Sequence, residues 1–259
     1  MDSNILLKLK LLLLRRKKVS SYVKSELLSD KTPFIIAEAY KAMRTNLMFM
    51  LSGNKKLIAF TSALAGEGKT TTCLNMGISF AQAGNRVLII DMDMRKPRVH
   101  RYFEIPSSPG LSDRLGGFTK ELPIEKTQHE NLFVLPVGTI PPSPPELLLS
   151  NSFDEILAEV RDQFDYIFID TPPIHLVTDL AIIAAKLDGV VFVVRENTAA
   201  QELITQAIDN LKRVDAKILG FILNDSSGSS LFTQYRYRSR YKARYGYTYG
   251  YSLPSQEKE

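Results

Sequence analysis

A chain of 259 residues, 44% hydrophobic and 24% charged, has the composition of a soluble protein with a sizeable core, built as one α/β domain with tails or as two small domains. Its single cysteine, Cys73, excludes an internal disulfide and argues against a secreted fold; a reducing cytoplasm suits it. The net charge of +5 conceals a split: residues 1–25 carry +6 and residues 235–251 carry +5, which leaves −6 on the body between them and argues against a nucleic-acid-binding core with its own basic face.

The chain opens on "ILLKLKLLLL" (Ile5–Leu14), ten positions interrupted by Lys8 and Lys10. A spanning helix needs roughly 20 apolar residues, and no small-residue cleavage site follows, so neither a membrane span nor a secretory signal is expected. With "RRKK" behind it, the stretch reads as a surface-lying amphipathic helix, a protein-docking helix or a frayed, solvated start. Residues 1–32 are taken as a basic N-terminal segment, 33–228 as the folded domain and 229–259 as a flexible tail.

From Pro33 the pattern becomes regular. "FIIAEAYKAMRTNLMFML" (Phe34–Leu51) has apolar residues at helical spacing. "KLIAFTS" reads as a buried strand, and "GKTTTCLNMGISFAQAG" as a helix closed by Gly84. "RVLIID", "NLFVLP", "DYIFID", "GVVFVV" and "KILGFIL" repeat the short strand pattern, with helices predicted over Ser152–Gln163 and Thr198–Val214. "PPSPP" (Pro141–Pro145) is expected to be a stiff loop. Strand alternating with helix predicts an α/β fold with a mostly parallel central sheet flanked by helices, and ligands at the carboxyl ends of its strands.

"SALAGEGKTTT" (Ser62–Thr72) lies between a predicted strand and a predicted helix, the context that a phosphate-binding P-loop requires. Backbone N–H groups of Ala65, Gly66, Glu67 and Gly68 are expected to cradle phosphates. Lys69 would reach the β- and γ-phosphates of ATP, Thr70 would ligate Mg²⁺ and Thr71 would touch the α-phosphate. Ala63 stands where the common pattern has its first glycine, and a methyl group is small enough to leave the cradle intact. "IIDMDMR" ends a strand with Asp91 and Asp93 at alternate positions, on one side if the strand continues so far, and "IFIDTPP" ends another with Asp170. An aspartate at a strand end is by itself commonly a turn or cap residue; three on the rim of a P-loop make a metal-nucleotide site. Cys73 reads as core, and three scattered histidines, His100 and His175 among them, give no metal spacing. "RKPR" (Arg95–Arg98) reads equally as a phosphate or partner contact and as solvated charge.

The tail "YRYRSRYKARYGYTYGY" holds seven tyrosines and five basic residues in seventeen positions. Alone it suits nucleic-acid stacking, disordered filler or a phosphoacceptor segment.

Taken together, "ALAGEGKT", "IIDMDMR", "IFIDTPP", "PPSPPELL" and the tyrosine cluster resemble the bacterial tyrosine kinases (BY-kinases) of the capsule and exopolysaccharide type, over roughly Pro33 to Tyr251. The resemblance implies a P-loop NTPase fold and an ATP- and Mg²⁺-dependent tyrosine autokinase. Asp91 would accept or orient the phenolic proton, Asp93 and Asp170 would hold the metal with Thr70, and Asn224 would read adenine. Tyr235, Tyr237, Tyr241, Tyr245, Tyr247, Tyr249 and Tyr251 would be phosphorylated, in trans within a ring-shaped homo-oligomer, an octamer in the family's pattern. It further implies a transmembrane activator of the polysaccharide co-polymerase type, a cognate tyrosine phosphatase, and a cytoplasmic location held at the membrane through that partner, with no nucleic acid bound. The family's E-x-x-R-x-x-R interface motif is represented by Glu38, Lys41 and Arg44, where lysine lacks the planar fork of arginine. The rival within the fold, the ParA/MinD partition ATPases, carries a signature lysine five residues before the P-loop lysine. Leu64 stands there.

Overall fold

In the computed structural model, residues 9–10, 26–51, 56–175 and 178–225 are described. The tyrosine cluster and nearly all of the basic start lie outside the described residues. Eight strands form one sheet in the order β1-β8-β7-β2-β6-β3-β5-β4. They are β1 (Leu9–Lys10), β2 (Leu57–Ser62), β3 (Val87–Asp91), β4 (Glu125–Lys126), β5 (Leu132–Leu135), β6 (Tyr166–Asp170), β7 (Gly189–Arg195) and β8 (Ile218–Asn224). Every pairing is parallel except β4 with β5, an antiparallel edge. The mostly parallel sheet expected from the alternating pattern is therefore present. Leu9 and Lys10 are strand, paired with Ile222 and Leu223, where the opening run had suggested helix as one reading.

The period-two alternation of the strands sends side chains to two separate cores. Ile58, Phe60, Val87, Ile89, Phe168, Val191 and Val193 face one side, under α1 (Phe34–Met50), α2 (Lys69–Ala81) and α3 (Val99–Phe103). Leu57, Ala59, Leu88, Ile90, Ile167, Ile169, Val190 and Phe192 face the other. That side is covered by α4 (Leu111–Leu115), α5 (Pro144–Leu148), α6 (Asn151–Arg161), α7 (Asp179–Ile183) and α8 (Gln201–Arg213). In α6 the buried residues Phe153, Ile156, Leu157 and Val160 fall at i, i+3, i+4 and i+7, the single apolar stripe that makes it a covering helix.

Three local readings are corrected. Pro144 and Pro145 are not loop but the first turn of α5, where a missing N–H costs nothing and a fixed φ favours helix. α8 begins at Gln201, three residues after the predicted start, because Thr198 and Ala199 lie in the turn that leaves β7. Leu27 and Leu28, assigned to the N-terminal segment, are buried in the same core as residues of α1 and α2. No helix among the described residues is long and apolar enough to cross a membrane.

Candidate active site

The carboxyl ends of the parallel strands share one rim, and the loop from β2 to α2 wraps over it. Gly66 and Gly68 have φ of 88° and 87°, a region that side chains avoid. Gly68 also caps α2, so the first free N–H groups of the helix open toward the loop. Ala63 is fully buried and packs into the core beneath the loop, so its methyl group points away from the cradle. Ala65 and Gly66 are exposed. Glu67 turns inward: its carboxylate accepts the N–H of Leu64 at 2.7 Å and that of Arg195 at 3.3 Å. Burial raises the Glu67 pKa, and these backbone donors only partly offset it. Glu67 thus shapes the loop from inside.

Asn224 ends β8 beside the loop. Its Nδ2 donates to the Glu67 carbonyl at 2.9 Å and its Oδ1 accepts the Asp225 N–H at 3.0 Å. The side chain braces the P-loop, and one amide proton remains for a further acceptor. Arg195, at the end of β7, completes the brace: Nη1 donates to the Gly66 carbonyl at 3.2 Å, and Nε to Asp225 Oδ2 at 2.8 Å. Arg195 was missed from the sequence, although it obeys the rule that found Asp91 and Asp170, a charged residue ending a strand run on the rim.

β3 and β6 are neighbours, with Asp91 paired to Asp170 in register. Lys69 reaches into this acidic corner. Its Nζ lies 3.2 Å from Asp93 Oδ2, 3.3 Å from Asp170 Oδ1 and 3.2 Å from Thr70 Oγ1. Thr70 donates its hydroxyl to Asp170 Oδ2 at 2.7 Å. Burial works against the Lys69 charge, but attraction to Asp170 and then Asp93 outweighs it and raises the pKa, so the ammonium is retained. Asp170 is raised by burial, with Lys69 and the Thr70 hydroxyl pulling the other way.

The aspartates of "DMDMR" do not share a strand. β3 stops at Asp91: the Met92 N–H gives the last ladder bond, to the Asp170 carbonyl, and the Met94 N–H then turns back to the Met92 carbonyl. Asp93 sits in the following turn, with its N–H given to Asp91 Oδ1 at 3.2 Å and its Oδ1 accepting the Lys96 N–H at 3.1 Å. Asp91 is fully buried, and its Oδ2 accepts the Val99 N–H at 3.2 Å. Burial, with repulsion from Asp170 next, pushes its pKa up to about 8, against the pull of the Val99 N–H. Asp93, not Asp91, is therefore the carboxylate of this pair that meets Lys69, and Asp91 holds the turn that aims it.

Among the described residues no three carboxylate, imidazole or thiol groups converge as a ready metal cage. Mg²⁺ does not need one, since it keeps most of its waters and binds through one or two protein oxygens plus phosphates. Thr70 Oγ1 and the carboxylates of Asp170 and Asp93, gathered around one ammonium, are a hard-oxygen set of that kind.

Other expectations resolve simply. Thr71 is half-buried; its hydroxyl donates to Glu26 Oε2 at 3.2 Å and lies 3.3 Å from the Tyr102 hydroxyl. Nothing in the sequence pointed to Glu26, which is 45 positions away. Cys73 is fully buried core. Burial, with Arg101 next, lowers the His100 pKa, and His175 Nε2 lies 2.7 Å from the Leu203 carbonyl. Arg95 of "RKPR" contacts the buried Asp179 at 3.4 Å. Glu38 and Lys41 pair on the exposed face of α1 at 2.8 Å, but Arg44 turns inward to donate to the Ser79 carbonyl and hydroxyl of α2.

A strand, a glycine-rich turn over a helix N-terminus, a lysine among carboxylates and a hydroxyl on the second carboxylate define a P-loop nucleotidase-type domain. The family model described as an AAA domain matches residues 55–223. The tyrosine-protein kinase CpsD of Streptococcus pneumoniae serotype 4 is 40% identical over 205 residues, 77% of this chain and 89% of that protein. The crystal structure of the chimerical protein CapA2B2 superposes with a TM-score of 0.72 at 35% identity, covering 81% of this chain and 91% of that one. The septum site-determining protein MinD of Pyrococcus horikoshii, complexed with Mg-ADP, reaches 0.57 at 25% identity, over 68% of this chain and 72% of that one. The chain belongs to the bacterial tyrosine-protein kinase family of the CapB/CpsD type, within the AAA-domain P-loop fold.

Proposed function

We propose that this kinase transfers the terminal phosphoryl group of ATP to the tyrosines at 235–251 of its own kind, and that it does so under a membrane activator that couples it to capsular or exopolysaccharide synthesis and export. The observation that carries this reading is the meeting of Lys69, Thr70, Asp93 and Asp170 on one rim, all within 3.3 Å of a neighbour in the set. Phosphoryl transfer needs in-line placement and neutralised oxygens more than covalent help. The N–H groups of 65–68 and the start of α2 take phosphate oxygens. Lys69 would leave the carboxylates for the β- and γ-phosphates, and Thr70 with Asp170 and Asp93 would hold Mg²⁺. When bound, Mg²⁺ supplies positive charge to the phosphate oxygens.

The phenol, of pKa about 10, must lose its proton as the bond forms. Asp91 is fully buried and burial favours its protonated form, so it takes that proton only if the turn between Asp91 and Val99 opens and lets it ionise. The spare amide proton of Asn224 would serve the adenine. The basic tail is drawn to an acidic body, and phosphates of about −1.5 to −2 each reverse that attraction, so phosphorylation loosens the oligomer. Subunit number, activator and phosphatase follow the family's pattern.

A partition-type ATPase is the second reading, favoured by the MinD likeness. Leu64, half-buried against the core, has no cation to give a partner's phosphates. Incubation with γ-labelled ATP and Mg²⁺, with and without the cytoplasmic tail of a candidate activator, tests the proposal. Label on tail tyrosines, abolished by Lys69→Met, is expected. Phosphate release with an unlabelled tail would instead establish the ATPase.

A further inference from the structure

Thr71 is the P-loop residue expected at the α-phosphate, yet its hydroxyl is already engaged by an anion. Glu26 Oε2 accepts it at 3.2 Å and accepts the Tyr102 hydroxyl at 3.3 Å, with the two hydroxyls 3.3 Å apart. Tyr102 is 8% exposed, and burial raises its pKa, so it stays a protonated donor at neutral pH. Each hydroxyl has one proton to give.

Glu26 is not there by accident of a loose end. The Leu28 N–H donates to Asn75 Oδ1 at 2.8 Å, and Asn75 Nδ2 donates to the Glu26 carbonyl at 2.9 Å and to Tyr40 Oη at 3.2 Å. Asn75 lies on α2, one turn after Thr71, and is 2% exposed. Leu27 and Leu28 are buried beside it. A buried amide thus straps residues 26–28 along the helix that begins at the P-loop, and the strap sets the Glu26 carboxylate over the loop's last hydroxyl.

We propose that Glu26 belongs to the nucleotide site as its affinity-setting residue, competing as an anion with the α-phosphate for the Thr71 hydroxyl. A phosphate oxygen that takes the Thr71 proton must displace the carboxylate, since the hydroxyl cannot serve both and like charges within hydrogen-bond reach repel. Glu26 is exposed and falls back into water at small cost, so the competition tunes affinity rather than blocking the site. By linkage, the Glu26–Thr71 contact and the nucleotide weaken each other by the same factor. Glu26, held in place by the strap at 26–28, therefore helps to set occupancy of the P-loop. This rests on the reading of the P-loop as a nucleotide site.

Titration calorimetry of the full-length chain with ADP and Mg²⁺ tests it. Glu26→Gln and Glu26→Ala are expected to bind ADP about three- to tenfold more tightly than the unaltered protein, with adenosine unaffected. Asp30→Asn, an exposed charge on the same segment, is expected to leave ADP affinity unchanged, which separates local competition from net charge. Equal or weaker ADP binding by both Glu26 variants overturns the inference. Equal tightening by Asp30→Asn also overturns it. Failure of every form, altered or not, to bind ADP overturns the nucleotide reading itself and this inference with it.

Discussion

The Thr70 hydroxyl donates to Asp170 Oδ2 at 2.7 Å, joining the helix that follows the P-loop to the end of the neighbouring strand β6. A hydroxyl and a carboxylate so placed would supply two hard oxygens to the Mg²⁺ of the proposed reaction. Removing either group should weaken metal use before it weakens folding. Thr70→Ala is expected to raise the Mg²⁺ concentration for half-maximal labelling roughly tenfold, about 1.4 kcal/mol, with the ADP-bound melting temperature falling at fixed Mg²⁺. Asp170→Asn is expected to cost about a hundredfold or more in labelling rate, because it also removes the negative charge that holds Lys69. A metal titration of initial rates checks both.

The stability of the nucleotide-free, metal-free domain should depend on pH through the same corner. Asp91 has a folded pKa of about 8, against 3.8 as its ordinary value, so the folded state holds a proton that the unfolded chain has lost. Stability from this group is therefore full below about pH 4 and is lost as pH rises through about 8, by about 1.4 kcal/mol for each unit of difference realised. Asp170, also raised, acts in the same direction. The urea midpoint is expected to fall between pH 6 and pH 9, and to fall less in Asp170→Asn, where the like charge is gone. A midpoint that rises over that range would contradict the assignment of Asp91 as a buried, neutral carboxyl.

Gly68 should tolerate no side chain. A Cβ there would overlap the Asn224 amide nitrogen, and φ of 87° is strained for any L side chain. Gly68→Ala is expected to lower stability by about 1–3 kcal/mol and ADP affinity by about tenfold or more. Adding Asn224→Ala relieves the overlap but not the φ strain, so the double variant should regain part of the stability and none of the brace between β8 and the loop. Thermal melting and ADP titration of the four proteins give the cycle.

The three charges on α1 should separate cleanly. Arg44 is half-buried and bound to Ser79, so Arg44→Ala is expected to cost about 1–2 kcal/mol in urea unfolding. Glu38→Ala and Lys41→Ala, an exposed pair, should cost under about 0.5 kcal/mol. If α1 forms the subunit interface, light scattering should show those two near-neutral variants losing the oligomer. Phe34 and Phe49, each 79% exposed on the same helix, offer apolar area for such a contact.

Much of the site was legible because each of its parts ends a hydrophobic run. Asp91, Asp170 and Asn224 terminate strands whose apolar residues could be read directly, and a parallel sheet brings all such ends to one rim. The glycines around Lys69 carried the loop in the same way. What could not be read is where each side chain turns once the run stops. Asp93 lies beyond β3, where alternation no longer applies, so its partner Lys69 and the burial of Asp91 depended on the course of one turn. Arg44 sits at a spacing that suits either an exposed face or the groove against α2, and only the position of Ser79 decides. Glu26 is the extreme case, since its place depends on Asn75, a polar residue whose burial within α2 no periodicity reveals. Pro144 was read as part of a stiff loop, although proline is as much at home in the first turn of a helix.

Arg195 ties the Gly66 carbonyl to Asp225, so a point on the chain ahead of the tyrosines is fixed beside the P-loop. Tyr235 is ten residues further on, a reach of at most about 33–36 Å. By chain length alone the rim beside Asp225 is within range of Tyr235, so the proposed transfer between copies would compete with a site that the same chain can already reach.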